Sequence, residues 1–181
     1  MKKIVITSPG SITDEARRIT NLLVTDTWRV HIRKPDWTAQ QIRDLIESIP
    51  VELRQRLSLH DHHELAGSLH VGGIHLNRRN PVPPAHFNGI LSRSCHSINE
   101  VSDFKAQLSY VFLSPIFDSI SKNGYHASFS DGSLASAAAC GIIDSKVIAL
   151  GGIDDRNAKT MAKLKEWHFG GYAELGAVWN L

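Results

Sequence analysis

Short apolar runs recur along this chain, each bounded by glycine, proline, serine or charged residues. Eight of them have the length of a strand. They are "KKIVITS" (2–8), "RVHIRK" (29–34), "RLSLH" (56–60), "GGIHL" (72–76), "GILSRS" (89–94), "YVFLS" (110–114), "KVIALGG" (146–152) and "GGYAELG" (170–176). Runs of this size, rich in Val, Ile, Leu and Tyr between turn residues, predict strands. Between several of them the period changes. Ile12, Ala16, Ile19 and Leu23 form one stripe and Ile42, Leu45, Ile46 and Ile49 another, with the three- and four-residue spacing of a single helix face. Thr38 is followed three residues later by Gln41, and Ser97 by Glu100, the pattern of a capping box at a helix start.

Strands that alternate with helical segments predict parallel β/α units. Eight strands in a chain of 181 residues predict an α/β fold of the small (β/α)8 TIM-barrel type. An open doubly wound sheet is the alternative, and the strand count favours the barrel. The segment "NRRNPVPPAHFN" is too rich in proline for a full helix and is expected to cross as a loop or a single turn. The chain stops five residues after the eighth run, so the last helix is expected to be absent or truncated. That would leave apolar surface around Val178 and Trp179, and a homodimer covering it is expected. No internal repeat, linker or low-complexity stretch interrupts the chain, which predicts one domain over residues 1–181.

Composition narrows the picture further. A hydrophobic content of 42% and a charged content of 21% are ordinary for a globular protein. The net charge of +2 comes without basic blocks, which argues against nucleic acid as a partner. No stretch approaches the roughly 20 apolar residues needed to cross a bilayer, so no membrane partner is expected. The two lysines and short apolar run at the start do not make a signal peptide. Cys95 and Cys140 make neither a disulfide framework nor a zinc finger; they are expected to be passive, in a cytoplasmic protein.

In a barrel the chemistry sits at the C-terminal strand ends and the loops after them. Those positions here hold His31, Arg33 and Lys34; His60 and Asp61; His75 and Asn77; Ser94; Ser114; a loop "PIFDSISKNGYH" with Lys122; Gly151 and Gly152; and Leu175 and Gly176. Cations and hydroxyls beside glycine-bearing loops suit a phosphorylated ligand, held by backbone N–H groups. Plainer readings stand beside this one. Gly151-Gly152 is also a tight strand-to-helix turn, with Asp154 as helix cap. Arg33 and Lys34 also read as a solvated strand end. Asp61 with Glu64 reads as a capping pair, with His62 and His63 on the surface of the first helical turn.

The ordered set "HIRK", "HDHHELA", "GGIHL", "SCHSINE", "YVFLSPIFDSISKNG", "VIALGGID" and "GGYAELGAV" resembles the thiamine phosphate synthase/TenI family over almost the whole chain. The resemblance implies a (β/α)8 barrel and a role in thiamine biosynthesis. It implies a transferase that joins hydroxymethylpyrimidine, from its diphosphate, to a thiazole phosphate and releases pyrophosphate. The alternatives it leaves open are a TenI-like thiazole phosphate tautomerase and a catalytically weak thiazole-phosphate-binding relative. Position by position it implies that Arg33, Lys122 and Ser94 act on the diphosphate. His31 and His60 would lie beside the pyrimidine, Ser119 and Ser121 in the substrate loop, and Gly151, Gly152, Leu175 and Gly176 around the thiazole phosphate. Asp61 would be a ligand to Mg2+.

The departures are as informative. Asn80 stands where a synthase has its second magnesium-binding Asp, and Pro35 where it has a second basic residue, with Lys34 one position short. Losing one carboxylate weakens a hard-cation site, and Arg78 and Arg79 are near enough in sequence to neutralise pyrophosphate instead. Pro115 replaces the catalytic His of the TenI tautomerases, so a tautomerase would have to use His31, His60 or His126. A rival metal reading is a set of three imidazoles, His31, His60 and His75, which suits zinc better than magnesium. It is disfavoured by the expectation that His75 points away from the Asp61 side.

Overall fold

A computed structural model describes residues 1–118 and 127–179. All eight apolar runs are strands: β1 Lys2–Ile6, β2 Arg29–Ile32, β3 Leu57–Leu59, β4 Gly73–Leu76, β5 Ile90–Cys95, β6 Tyr110–Leu113, β7 Val147–Leu150 and β8 Gly171–Glu174. They pair in chain order and close into a barrel, and the registers of β1 to β4 and of β6 to β8 are parallel. Most are one or two residues shorter than their apolar run. The α-helices among the described residues are α1 Glu15–Val24, α2 Ala39–Glu47, α3 Leu65–Ser68, α4 Ile98–Phe104, α5 Asp131–Ala139, α6 Ala158–Glu166 and α7 Gly176–Trp179. None is long and apolar enough to cross a membrane.

Contacts divide the chain into two compact units, Ile4–Ser92 and Met1–Lys3 with Arg93–Leu181. In the first, His31, Ser58 and Gly73 are register partners on β2, β3 and β4. Residues two apart on a strand share a face, so Arg29, His60 and His75 lie on that face as well. The opposite face carries Val30, Ile32, Leu57, Leu59 and Ile74, all at most 1% exposed, with Ile19 and Leu23 of α1 and Ile42 and Ile46 of α2 also buried. One face of these strands is thus apolar and the other polar, although both are buried. Gly73 makes room on the polar face, since a Cβ there would stand 2.8 Å from Nη1 of Arg29. That guanidinium donates to the carbonyls of Leu57 and Gln55 and to Ser58 Oγ.

In the second unit Phe112, Ile148 and Gly171 are register partners, and β6 and β7 are apolar on both faces. Their interior needs no partner for a polar group, which is why "YVFL" and "VIAL" read as unbroken apolar runs.

The helix starts follow local chemistry, with two corrections. Thr38 and Gln41 make the full reciprocal box at α2. Ser97 accepts the N–H of Glu100, but the Glu100 carboxylate takes the N–H of His96 rather than of Ser97. Asp154 does not cap α6: Asn157 does, accepting from Lys159 and Thr160, while Asp154 is held by Arg156. Asp61 does not cap α3, which begins at Leu65 without a side-chain cap. The proline-rich segment 77–88 has no helix, as expected. One helical turn, α7, follows β8. Of the apolar residues there, Trp179 is 9% exposed and Val178 is half-buried.

The two cysteines differ sharply. Cys95 is buried at the end of β5, and burial, reinforced by Glu100, pushes its thiol up to about 11; Cys140 is exposed. Thiolate, not thiol, is the reacting form. At pH 8 a thiol reagent is therefore expected to label one cysteine per folded chain, with peptide mapping to Cys140, and the second only after denaturation. Rapid labelling of Cys95 in the folded chain would contradict the burial.

Candidate active site at the strand ends

After β2 the backbone of Arg33 is clamped: its N–H donates to Thr7 Oγ1 at 2.9 Å, and that hydroxyl donates back to the Arg33 carbonyl. Arg33 is half-buried at the strand end. Lys34 is neither a solvated strand end nor a second cation for a ligand. It is 1% exposed, and its Nζ donates to Glu15 Oε2 at 2.8 Å and to the Gly10 carbonyl at 2.6 Å. Trp37 covers it with its ring centre 4.6 Å away.

After β3 stands Asp61, and after β4 the turn "NRRN". Asn77 Oδ1 accepts the N–H groups of Arg79 and Asn80, and the backbones of Asn77 and Asn80 bond to each other at 3.1 Å in both directions. This side-chain-to-backbone turn is a local property of Asn. It delivers Arg79 to Asp61, whose Oδ1 accepts from Arg79 Nη2 at 2.8 Å, from Nε at 3.1 Å and from Asn80 Nδ2 at 3.2 Å. The other oxygen, Oδ2, is buried without a hydrogen-bond partner among the described residues. His62 and His63 precede α3 rather than opening it. His62 has a positive φ of 54° and bonds the Trp37 carbonyl, and His63 is buried, not on the surface.

Beneath these groups lie His31, His60 and His75, at 0%, 7% and 2% exposure. His31 Nδ1 and His60 Nε2 are 2.9 Å apart, one donating to the other. The His60 and His75 rings stack with centroids 4.1 Å apart, and His31 meets His75 edge-on at 5.4 Å. His75 Nδ1 lies 3.0 Å from Ser92 Oγ, and that hydroxyl is also 3.4 Å from the Ile74 carbonyl. His75 thus turns toward His60, not away as expected. Burial, then the neighbouring His75 and Arg29, holds His31 well below the usual imidazole value. Burial, then His75 and His31, does the same to His60. Both are neutral at pH 7.

In the second unit Ser94 is half-buried on β5. Gly151 and Gly152 follow β7 with φ of 101° and 66°, a conformation that only glycine adopts without strain. A Cβ on Gly151 would meet Pro115 at 2.9 Å, and one on Gly152 would overlap the Asp118 carbonyl. Leu175 and Gly176 follow β8, the register partner of β7. Four of the predicted positions, Ser119, Ser121, Lys122 and His126, lie outside the described residues. A cluster that sequence reasoning missed joins Asp155 to Lys3 at 2.7 Å and to the Tyr172 hydroxyl at 3.1 Å, with Glu174 bonding the Asp155 N–H. Lys3 also lies 3.6 Å from Glu174 Oε2, and the cluster reads as structural.

A magnesium ion wants several hard oxygen ligands in octahedral array. Asp61 offers one oxygen, because a guanidinium and a carboxamide hold the other, and Asn80 turns an N–H donor toward it. A second cation on Oδ2 would face the Arg79 charge across one carboxylate. These residues do not fit a magnesium ion held by the protein as the resemblance implied.

The thiamine monophosphate synthase family matches residues 4–168 of this chain. No curated protein matches it. The chain is similar to the crystal structure of thiamine phosphate pyrophosphorylase from Bacteroides thetaiotaomicron. The two are 38% identical, over 99% of this chain and 85% of that one, with a TM-score of 0.88. At 11% identity, over 99% and 87% of the two chains, it also shares the fold of (S)-3-O-geranylgeranylglyceryl phosphate synthase from Thermoplasma acidophilum, with a TM-score of 0.65. Likeness that distant speaks to the barrel alone.

Proposed function

The chain belongs to the thiamine monophosphate synthase family, and from that premise we propose that it transfers hydroxymethylpyrimidine from its diphosphate to thiazole phosphate. The methylene–oxygen bond of the pyrimidine breaks and pyrophosphate leaves with the bond electrons. The thiazole nitrogen then closes on the methylene cation. Such a reaction needs no strong base; it needs cations set in place before charge develops on the leaving group. The observation that supports this reading is the set of cations after β2 and β4: Arg33, Arg78 and Arg79, with Arg79 held on Asp61. Arg79, fixed by Asp61 and the Asn77 turn, does the neutralising that a synthase assigns to its metal. In the same reading Lys122 and Ser94 also face the diphosphate, and His31 and His60 lie under the pyrimidine. Ser119 and Ser121 bind substrate, while Gly151, Gly152, Leu175 and Gly176 hold the thiazole phosphate with backbone N–H groups.

The test is an assay with both substrates and analysis of the products. The expected result is thiamine phosphate with pyrophosphate, at a rate that a chelator changes little. Asn80→Asp restores the second carboxylate, so its rate is expected to respond to magnesium. A recovered charged ligand is worth about 1.5–3 kcal/mol, or about tenfold or more in the magnesium needed for half-maximal rate. Absence of product from both wild type and Asn80→Asp, with thiazole phosphate still bound, overturns the synthase reading.

One observation favours a second reading. The His31–His60 contact joins two neutral imidazoles, the arrangement a proton relay needs, and thiazole phosphate tautomerisation needs proton transfer rather than cation stabilisation. Isomerised thiazole phosphate in the absence of the pyrimidine substrate, lost in His31→Gln, would select it. Binding of thiazole phosphate with no turnover of either kind would leave a binding protein.

A further inference from the structure

We propose that His31, His60 and His75 together bind one borderline divalent transition-metal ion of the zinc type, at a site separate from Asp61. One ring nitrogen from each lies within 4.8 Å of the other two. A tetrahedral zinc site with Zn–N bonds of about 2.0–2.1 Å sets its ligand nitrogens about 3.4 Å apart, so small ring rotations close this set on an ion. The 2.9 Å contact between His31 Nδ1 and His60 Nε2 is already inside that span. An ion placed between them would take both lone pairs once the shared proton moves to the other nitrogen of its own ring.

Three features distinguish this set from a chance meeting of histidines. His31 and His75 stand on β2 and β4, and His60 stands one residue past β3, where its N–H still bonds the Ile32 carbonyl at 3.1 Å, so the ladders fix the separation of the rings. All three are buried, and for His31 and His60 burial favours the neutral imidazole that ligates a metal. And His75 has an outer partner of the kind metal-binding imidazoles use: Ser92 Oγ lies 3.0 Å from its Nδ1. Imidazole without carboxylate selects zinc, cobalt, nickel or copper over magnesium. Three protein ligands leave a fourth position. With Arg29 on the same strand face, an anionic fourth ligand, hydroxide or a phosphate oxygen, is favoured there. The inference does not depend on which reaction the chain performs.

The full chain, stripped of metal with a chelator, is titrated with Co2+ alone and then with Zn2+. The expected result is one Co2+ per chain with the visible bands of four-coordinate cobalt, displaced by Zn2+ and unaffected by a large excess of Mg2+. His75→Ala and His31→Gln are each expected to lower affinity about 100-fold or more, and Ser92→Ala about tenfold, as for loss of an outer partner. His86→Ala and His168→Ala, at exposed positions, are expected to change nothing. No stoichiometric uptake by the folded wild type overturns the proposal, as does uptake that survives His31→Gln and His75→Ala. Where a variant loses its fold by circular dichroism, nitrogen NMR of wild-type histidines decides. Zinc-induced shifts at His31, His60 and His75 support the site, and shifts confined to other histidines overturn it.

Discussion

The metal-free protein is expected to lose about 3 kcal/mol of stability between pH 7.5 and pH 5.5, before most carboxylates begin to titrate. His31 and His60 are held neutral by burial first and by the neighbouring histidines after it, so their folded pKa values lie well below the ordinary 6.5. The unfolded chain takes up protons at both near pH 6.5, and the folded chain does not. Below that value the unfolded state therefore binds more protons, and stability falls as pH falls. Each group costs about 1.4 kcal/mol by one pH unit below 6.5. For a chain of this length two such groups correspond to a fall in Tm of roughly 6–12 °C. Thermal unfolding across this range measures it. In His31→Gln/His60→Asn the slope is expected to flatten, leaving the smaller share of His63, whose pKa burial also lowers. An unchanged Tm from pH 7.5 to 5.5 would mean that the two imidazoles are not buried neutral.

Lys34→Met is expected to destabilise the chain by about 3–5 kcal/mol, because it leaves Glu15 charged, buried and unpaired. The side chains of Lys34 and Glu15 are 0% and 4% exposed, and Nζ lies 2.7 Å from Oε1 as well as bonding Oε2. Replacing both partners is a different experiment. Lys34→Met/Glu15→Met removes the attraction and the desolvation cost together, and is expected to restore wild-type stability to within about 1–2 kcal/mol or to exceed it. Denaturant unfolding of the two single variants and the double variant gives the coupling energy. Additive losses would show that the pair does not act as a unit. The same experiment tests the functional reading of the strand end. If Lys34 serves only Glu15, the double variant keeps transferase activity, whereas Arg33→Ala lowers it.

What was legible in the sequence is what short-range physics decides. The eight strands follow from apolar runs that fit a strand's length, and the start of α2 from a reciprocal bond over three residues between Thr38 and Gln41. The glycines after β7 and the Asn77 turn are equally local, since each rests on the conformational range of one residue or the reach of one short side chain. The sequence alone also determined the family, because the order of many modest motifs survives where single ones do not. Tertiary structure decided the partners. Asp61 reads as a metal ligand or a helix cap until Arg79, 18 positions away, is seen on its carboxylate. Lys34 reads as part of a basic strand end until Glu15, 19 positions away, is found beneath it. The three histidines are one cluster only because of the register of β2, β3 and β4, where a slip of one residue would turn each ring to the opposite face. Charge pairing and ligand geometry act across a few ångströms of space, and the chain closes those distances only when the strands align.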